Sequence, residues 1–387
     1  ACNVHPQDVW LAHDLATALS VRGDIEGSVR YYSVARALRP QTAHELAHKL
    51  IELGRREEGL AVLRELVRLS PEHDRHISCL GIILRMMGDP EGDEVLERAV
   101  DLTREIISKR PEDFNARHNL SCNLHVLGRH DEALAVLREL IALEPNFGAA
   151  YSNLFVQYYH ARQFADAEAA IRKAIELEPA NQLFQDQFIH VLLETNQYQQ
   201  AAEFARRAIA QDSQYYFGHC MLGRSLGGLG RTDEAEEAFR VAREVAPSQP
   251  EVHLHYGSYL LNQRKYEEAE SEFRKALASR PRNPRYLVSL GNCLRRMPDR
   301  TEEATEAYEA SLELEARNPF ALISLARLYS AERRFPEAEA TLRKAIEAAP
   351  FQSTPYLELI EVLDGTGRSD EVLKLAQQTL KAGPESC

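Results

Sequence analysis

Proline returns along this chain with a fixed step. Pro111, Pro145 and Pro179 stand 34 residues apart, Ser213 takes the next place in the series, and Pro247 and Pro281 follow at the same interval. Pro350 and Pro384 are again 34 apart, and the 69 residues from Pro281 to Pro350 hold two such steps with one extra residue. Towards the N-terminus the intervals become 40, from Pro71 to Pro111, and 31, from Pro40 to Pro71. A constant period of this length marks stacked supersecondary units, each too small to bury its own apolar face and each covered by its neighbours. A non-repetitive helical bundle has no reason to hold one period.

Residues 114–147 show what one period contains. Leu120 and Leu124 lie on one helical face, and that helix stops at Gly128, which enters the left-handed conformation without a Cβ penalty. Asp131-Glu132-Ala133 opens a second helix with its acidic pair at the positive end of the dipole, and Pro145 closes the unit. Small residues recur where helices must cross closely: Ala133, Ala167, Ala201, Ala235, Ala269, Ala304 and Ala338 in the second helices. The first helices carry Ala16, Ala47, Gly81, Ser121, Gly223, Gly257, Gly291 and Ala326 in one phase. Phe155 and Ile189 interrupt that series, so packing in their two units is expected to differ.

Period, small-residue positions and closing proline together resemble the tetratricopeptide repeat. The resemblance runs from about Val9 to Pro384 as about eleven copies. It implies an all-α fold of the α-α superhelix class, a right-handed solenoid of antiparallel helix pairs whose first helices line a concave groove and whose second helices face outward. We expect a lead-in at 1–8 and a single solenoid at 9–387. Its units are 9–39, 40–73, 74–113, 114–147, 148–181, 182–215, 216–249, 250–283, 284–318, 319–352 and 353–387.

The chain carries 46 basic and 59 acidic residues, a formal charge of −13, which argues against general nucleic-acid binding. No run approaches the roughly 18–20 apolar residues of a membrane span. Six scattered cysteines without a CxxC pair fit reduced thiols in a cytoplasmic compartment better than a disulfide framework. Neither a Walker-type phosphate loop nor a G-x-S-x-G elbow is present. His44-Glu45-Leu46-Ala47-His48 spells the H-E-x-x-H of zinc proteases, but Leu46 and Ala47 fall at packing positions and a protease needs a third ligand. The expectation is therefore no enzyme and no catalytic, cofactor or metal site. A metal-dependent hydrolase using His44, Glu45 and His48 is the rival reading.

Function in a solenoid belongs on the groove. Carrying the family's groove positions onto this sequence selects Asn119, Asn153, Tyr159, Gln187, His190, Arg224, His255, Asn292, Arg295 and Arg327 as peptide-binding residues. Arg224, Arg285, Arg295, Arg296 and Arg327 gather in the C-terminal half, so an acidic segment is the expected ligand there, held through bidentate arginine–carboxylate contacts. His13, His44, His48, His118, His125, His160, His190 and His255 also fall at groove positions, which would make binding change between pH 7 and 5. The expected partner is a protein or peptide, with no nucleic acid and no membrane. Self-association through an uncapped C-terminal stripe of Leu373, Leu375 and Leu380 is expected as well.

Pro6-Gln7-Asp8-Val9-Trp10, Tyr31-Tyr32 and Leu38-Arg39-Pro40 resemble the repeat regions that follow the catalytic domain in some bacterial serine/threonine kinases, notably in planctomycetes. That resemblance, with the absent initiator Met, implies a non-catalytic region of a larger protein. The main functional expectation is an interaction scaffold that binds extended peptides; the alternative is a structural spacer or regulatory region of such a kinase.

Overall fold

The computed structural model describes residues 8–21, 24–350, 352–368 and 370–372. Helices and turns account for them, and there is no strand among the described residues. Leu373, Leu375 and Leu380 lie outside them. The chain divides into two compact units, residues 1–127 with 280–283, and residues 128–279 with 284–387.

The first unit holds α1 (Val9–Val21), α2 (Ile25–Leu38), α3 (His44–Glu52), α4 (Arg56–Leu69), α5 (Asp74–Met86), α6 (Glu91–Lys109) and α7 (Phe114–Val126). The second holds α8 (His130–Leu143), α9 (Gly148–His160), α10 (Phe164–Leu177), α11 (Gln182–Glu194), α12 (Tyr198–Gln211), α13 (Tyr216–Gly228) and α14 (Thr232–Val245). It continues with α15 (Pro250–Asn262), α16 (Tyr266–Ser279), α17 (Pro284–Leu294), α18 (Thr301–Leu314), α19 (Pro319–Ala331), α20 (Phe335–Ala348) and α21 (Ser353–Gly365). Within each unit helices stack in chain order as the solenoid class requires, α1 on α2 and α5 on α6 in the first, α9 on α10 and α13 on α14 in the second.

Departures from the 34-residue step have local physical outlets. The long frame 74–113 lengthens its second helix: α6 has 19 residues where α4 has 14, and Glu91, Asp93 and Glu94 occupy its first turn, where the helix dipole favours negative charge. The short interval, the 31 residues from Pro40 to Pro71, trims its first helix to the nine residues of α3, entered through a 3₁₀ turn at Pro40–Thr42.

The turn between paired helices needs one left-handed residue. Gly54, Gly88, Gly128, Gly230 and Gly367 supply it with φ between 72° and 78°. Arg162, Asn196, Arg264, Asp299 and Arg333 hold the same conformation with φ between 57° and 61°.

Packing between paired helices follows a volume rule. A Cβ on Gly223 would stand 2.6 Å from the Phe239 ring, one on Gly257 2.8 Å from Phe273, and one on Gly291 2.6 Å from Tyr308. Each glycine is thus the hole for an aromatic on the following helix, and all three aromatics are fully buried. Where the first helix carries Ile189, the corresponding place on α12 is Ala205, and where it carries Phe155, α10 offers Ile171; Ile189, Ala205 and Ile171 have no exposed surface. At Ile189 the bulk has thus moved from the second helix to the first, whereas at Phe155 both facing positions are large and the packing differs. In the first unit the core is continuous from Ala16 through Tyr32, Leu46 and Leu63 to Leu84. In the second one core runs from Phe155 to Leu328.

Candidate functional site

First helices and the turns after them wall a concave cavity of about 1040 Å³ in the second unit. Its lining contains Arg162, Arg264, Arg285, Arg295, Arg296 and Arg327 against one carboxylate, Glu194. A cavity this basic, in a chain of net charge −13, focuses positive potential where the rest of the molecule repels anions. Aromatic rings alternate with the guanidiniums: Tyr159, Phe164, Tyr266 and Phe320, the last 65% exposed.

Individual arginines differ in what holds them. Nε and Nη2 of Arg327 both donate to Glu358 Oε1, at 2.8 and 2.6 Å, so α21 already partners that charge. Arg162 lies over the Phe164 ring at 5.1 Å, a cation–π contact. Nε of Arg295 is buried with no hydrogen-bond acceptor among the described residues. Asn292 is held in place as Oδ1 accepts from the Tyr308 hydroxyl (2.9 Å) and from Ser324 Oγ (3.2 Å).

His190 and His255 flank Phe217, whose ring centroid lies 6.2 Å from that of His190 and 5.3 Å from that of His255, and Arg224 acts electrostatically on both imidazoles and on the cavity's Arg285 and Glu194. Arg224 Nη1 approaches Met221 Sδ at 3.9 Å, and no carboxylate lies within ion-pair reach of Arg224 among the described residues. Burial, helped by Arg285, lowers its pKa from the usual guanidinium value. Burial, helped by Glu194, pushes the Tyr159 phenol up to about 12.

Asn119 and Gln187 serve helix-to-helix contacts. Asn119, on α7 of the first unit, donates to Asp74 Oδ2 at 2.7 Å. Gln187 Oε1 accepts from Ser152 Oγ at 2.8 Å, joining α11 to α9, and Asn153 is half-buried on α9. Of the predicted set, Tyr159, Asn292, Arg295 and Arg327 line the cavity, while Arg224, His190 and His255 do not line it but interact electrostatically with its Arg285.

At His44, His190 and His255 the expected titration does not match the structure. Burial lowers the pKa of His190 to about 4, with Arg224 and Arg285 adding to the shift, and takes His255 well below 6.5. It lowers His44 to about 3 and lowers His48, His118 and His160 as well. His190, His255 and His44 are therefore neutral from pH 7 to 5, and groove binding acquires no switch from them in that range.

Groove positions on first helices do not include Arg162 and Arg264, which sit in the turns. The signal was present all the same, because Arg162 and Arg264 follow Gly128 and Gly230 by one period each. An arginine in a slot that favours glycine costs about 1 kcal/mol. We expect Arg264→Gly to leave stability unchanged or raised, by up to about 1 kcal/mol in urea unfolding, while weakening anion binding in the cavity. A clear loss of stability would refute this reading of the turn.

In the first unit, His44, His48 and Cys79 form the one group of three or more potential metal ligands close enough to share an ion among the described residues. Glu45, between the two histidines in sequence, pairs with Arg75 at 3.5 Å.

Each unit is an all-α stack of helix pairs, and the second carries an arginine-lined cavity. Family models described as tetratricopeptide repeat match residues 115–139, 220–284, 257–321 and 298–360. Over 194 residues the chain is 24% identical to human protein O-mannosyl-transferase TMTC3, an alignment covering 46% of this chain and 21% of that protein. The mouse protein of the same name is 25% identical over 155 residues, 36% of this chain and 17% of the relative. An uncharacterized protein of Haemophilus influenzae is 30% identical over 87 residues, 22% of this chain and 49% of its own length. The chain thus spans from under a fifth to about half of the relatives it matches. The crystal structure of yeast Tom70 superposes with a TM-score of 0.55 at 15% identity, covering 98% of this chain and 99% of that one, a likeness of fold. No described helix is long and apolar enough to cross a membrane.

Proposed function

We propose that this chain is a non-catalytic protein-interaction scaffold, a region of a larger protein, whose second unit holds an extended acidic peptide segment in the arginine-lined cavity. One observation carries the reading: six arginines and a single carboxylate face one concavity of a strongly acidic chain. Guanidinium forks recognise carboxylates in a bidentate, directional way, and a low-dielectric concavity strengthens each contact. A volume of about 1040 Å³ reaches the top of the range for small-molecule sites, room for several consecutive side chains. Exposed Phe320 and the rings of Tyr159 and Tyr266 add apolar anchors between the charges. The repeats and the solenoid fold support the scaffold reading, and the free thiols Cys79, Cys122, Cys220 and Cys293 fit a reducing, cytoplasmic setting.

Fluorescence anisotropy with a labelled oligoglutamate peptide tests this. Binding is expected to weaken as salt rises. Arg285→Glu combined with Arg296→Glu is expected to lower affinity about 100-fold, with the far-ultraviolet circular dichroism unchanged. Equal binding by the charge-reversed variant, or equal affinity of the parent for oligolysine, would sink the proposal.

A further inference from the structure

A second site lies in the first unit, away from the arginines. His44 and His48 are four residues apart on α3, a spacing that puts both imidazoles on one helix face. Their Nε2 atoms stand 3.2 Å apart. Cys79, on α5 of the next repeat, brings its Sγ to 3.6 Å from His48 Nε2 and 3.8 Å from His44 Nε2. Three donor atoms from two helices thus meet at one point.

These distances match a definite coordination geometry. With metal–nitrogen bonds of about 2.05 Å and a metal–sulfur bond of about 2.3 Å, tetrahedral zinc separates its nitrogens by about 3.3 Å and its sulfur from each nitrogen by about 3.6 Å. All three separations in the triangle lie close to those values. Hydrogen bonding alone explains the triangle less well, because a thiol supplies one weak donor and sulfur is a weak acceptor. The donor chemistry selects among ions. Two imidazoles and a thiolate suit zinc-class cations, while magnesium and calcium require oxygen ligands.

We propose that His44, His48 and Cys79 form a zinc-class binding site that fastens α3 to α5. Binding releases the Cys79 thiol proton to solvent and joins thiolate and both Nε2 lone pairs to the ion. His48 and Cys79 are part-exposed, so a tetrahedral ion there would draw its fourth ligand from water or from a ligand side chain. The protease spelling of the sequence is not the reason for the site: Glu45 is held by Arg75, and the third donor is a cysteine one repeat further on. Fastening one repeat to the next fixes their stacking, and an ion that binds only the folded state raises its melting temperature.

The test uses the whole chain, stripped of metal by a chelator under reducing conditions, and titrated with Co²⁺ and Zn²⁺. One Co²⁺ per chain is expected to bind, with a thiolate-to-cobalt charge-transfer band in the near ultraviolet and the intense visible bands of tetrahedral cobalt. Cys79→Ser is expected to abolish the charge-transfer band and weaken Zn²⁺ at least about 100-fold, and His48→Gln to weaken it comparably. Cys122→Ser is expected to change neither, although Cys122 Sγ lies 4.0 Å from His118 Nε2 and forms a second thiol–imidazole pair. The unmodified chain gives an independent readout, in which Zn²⁺ protects Cys79 from iodoacetamide far more than Cys122 by peptide mass spectrometry. Absence of the charge-transfer band, its survival in Cys79→Ser, or equal alkylation of Cys79 with and without Zn²⁺ overturns the proposal.

Discussion

Phe239→Ala is expected to destabilise the middle of the second unit by about 4 kcal/mol, and adding Gly223→Ile to restore a large part of that loss. The truncation empties a fully buried aromatic site, which costs about 3–5 kcal/mol. Gly223→Ile alone drives a branched side chain into the Phe239 ring, because even a Cβ there stands 2.6 Å from it. Together the two changes recreate the pairing of Ile189 with Ala205 one repeat earlier, where bulk sits on the first helix and the second is hollow. The expected coupling is favourable by about 2–3 kcal/mol, at the upper end for residues in direct contact. Stacked repeats open in neighbouring groups, so hydrogen exchange of the α13 and α14 amides reads the effect where it arises. If the double variant is as unstable as the two single losses summed, the volume rule is wrong.

Acid is expected to weaken the folded chain steeply below pH 6.5. His44 and His255 are buried, and their folded pKa values lie far below that of an exposed imidazole. In the unfolded chain both take a proton near pH 6.5, so the unfolded state binds more protons and stability rises with pH. Their contribution is therefore complete above pH 6.5 and is lost as pH falls from there towards the folded pKa, about 3 for His44. Each such imidazole costs about 1.4 kcal/mol per pH unit in that window. His190, lowered to about 4, adds to the slope.

Asp186 runs the other way. Burial raises its pKa to about 6, while the Tyr215 hydroxyl donates to Oδ1 and works against that rise. It contributes relative stability that is complete below 3.8 and is lost as pH rises through 6. One carboxyl does not offset three imidazoles. Urea unfolding at pH 7 and pH 5, with chelator present to keep metal off His44, is expected to show a loss of several kcal/mol. His255→Asn is expected to flatten the slope. A stability unchanged between the two pH values would show that these imidazoles are not held neutral by the fold.

The helical frames were legible because the repeat states them many times over. The helix starts and stops around Gly128, Asp131 and Pro145 rest on φ preference and the helix dipole, properties of a few adjacent residues. Ile189 looked like a fault in a series, since the compensating Ala205 lies half a repeat away and matters only when two helices touch. Tyr159, Asn292, Arg295 and Arg327 were placed in the groove by the resembled family's groove positions, and the cavity includes them. Arg162 and Arg264 escaped because they sit in turns, and Cys79 because one repeat had to be laid over the next before its sulfur met two imidazoles.

By itself the sequence determined the all-helical class, the helix pairs and the excess of arginine on C-terminal first helices, because these depend on local backbone preference and a repeated phase. Only the tertiary structure decided which arginines share one cavity, that Glu358 already partners Arg327, and that His190 and His255 lie too deep to take a proton between pH 7 and 5. Each of those outcomes depends on burial and on distances summed over several stacked repeats, quantities that no single 34-residue unit contains.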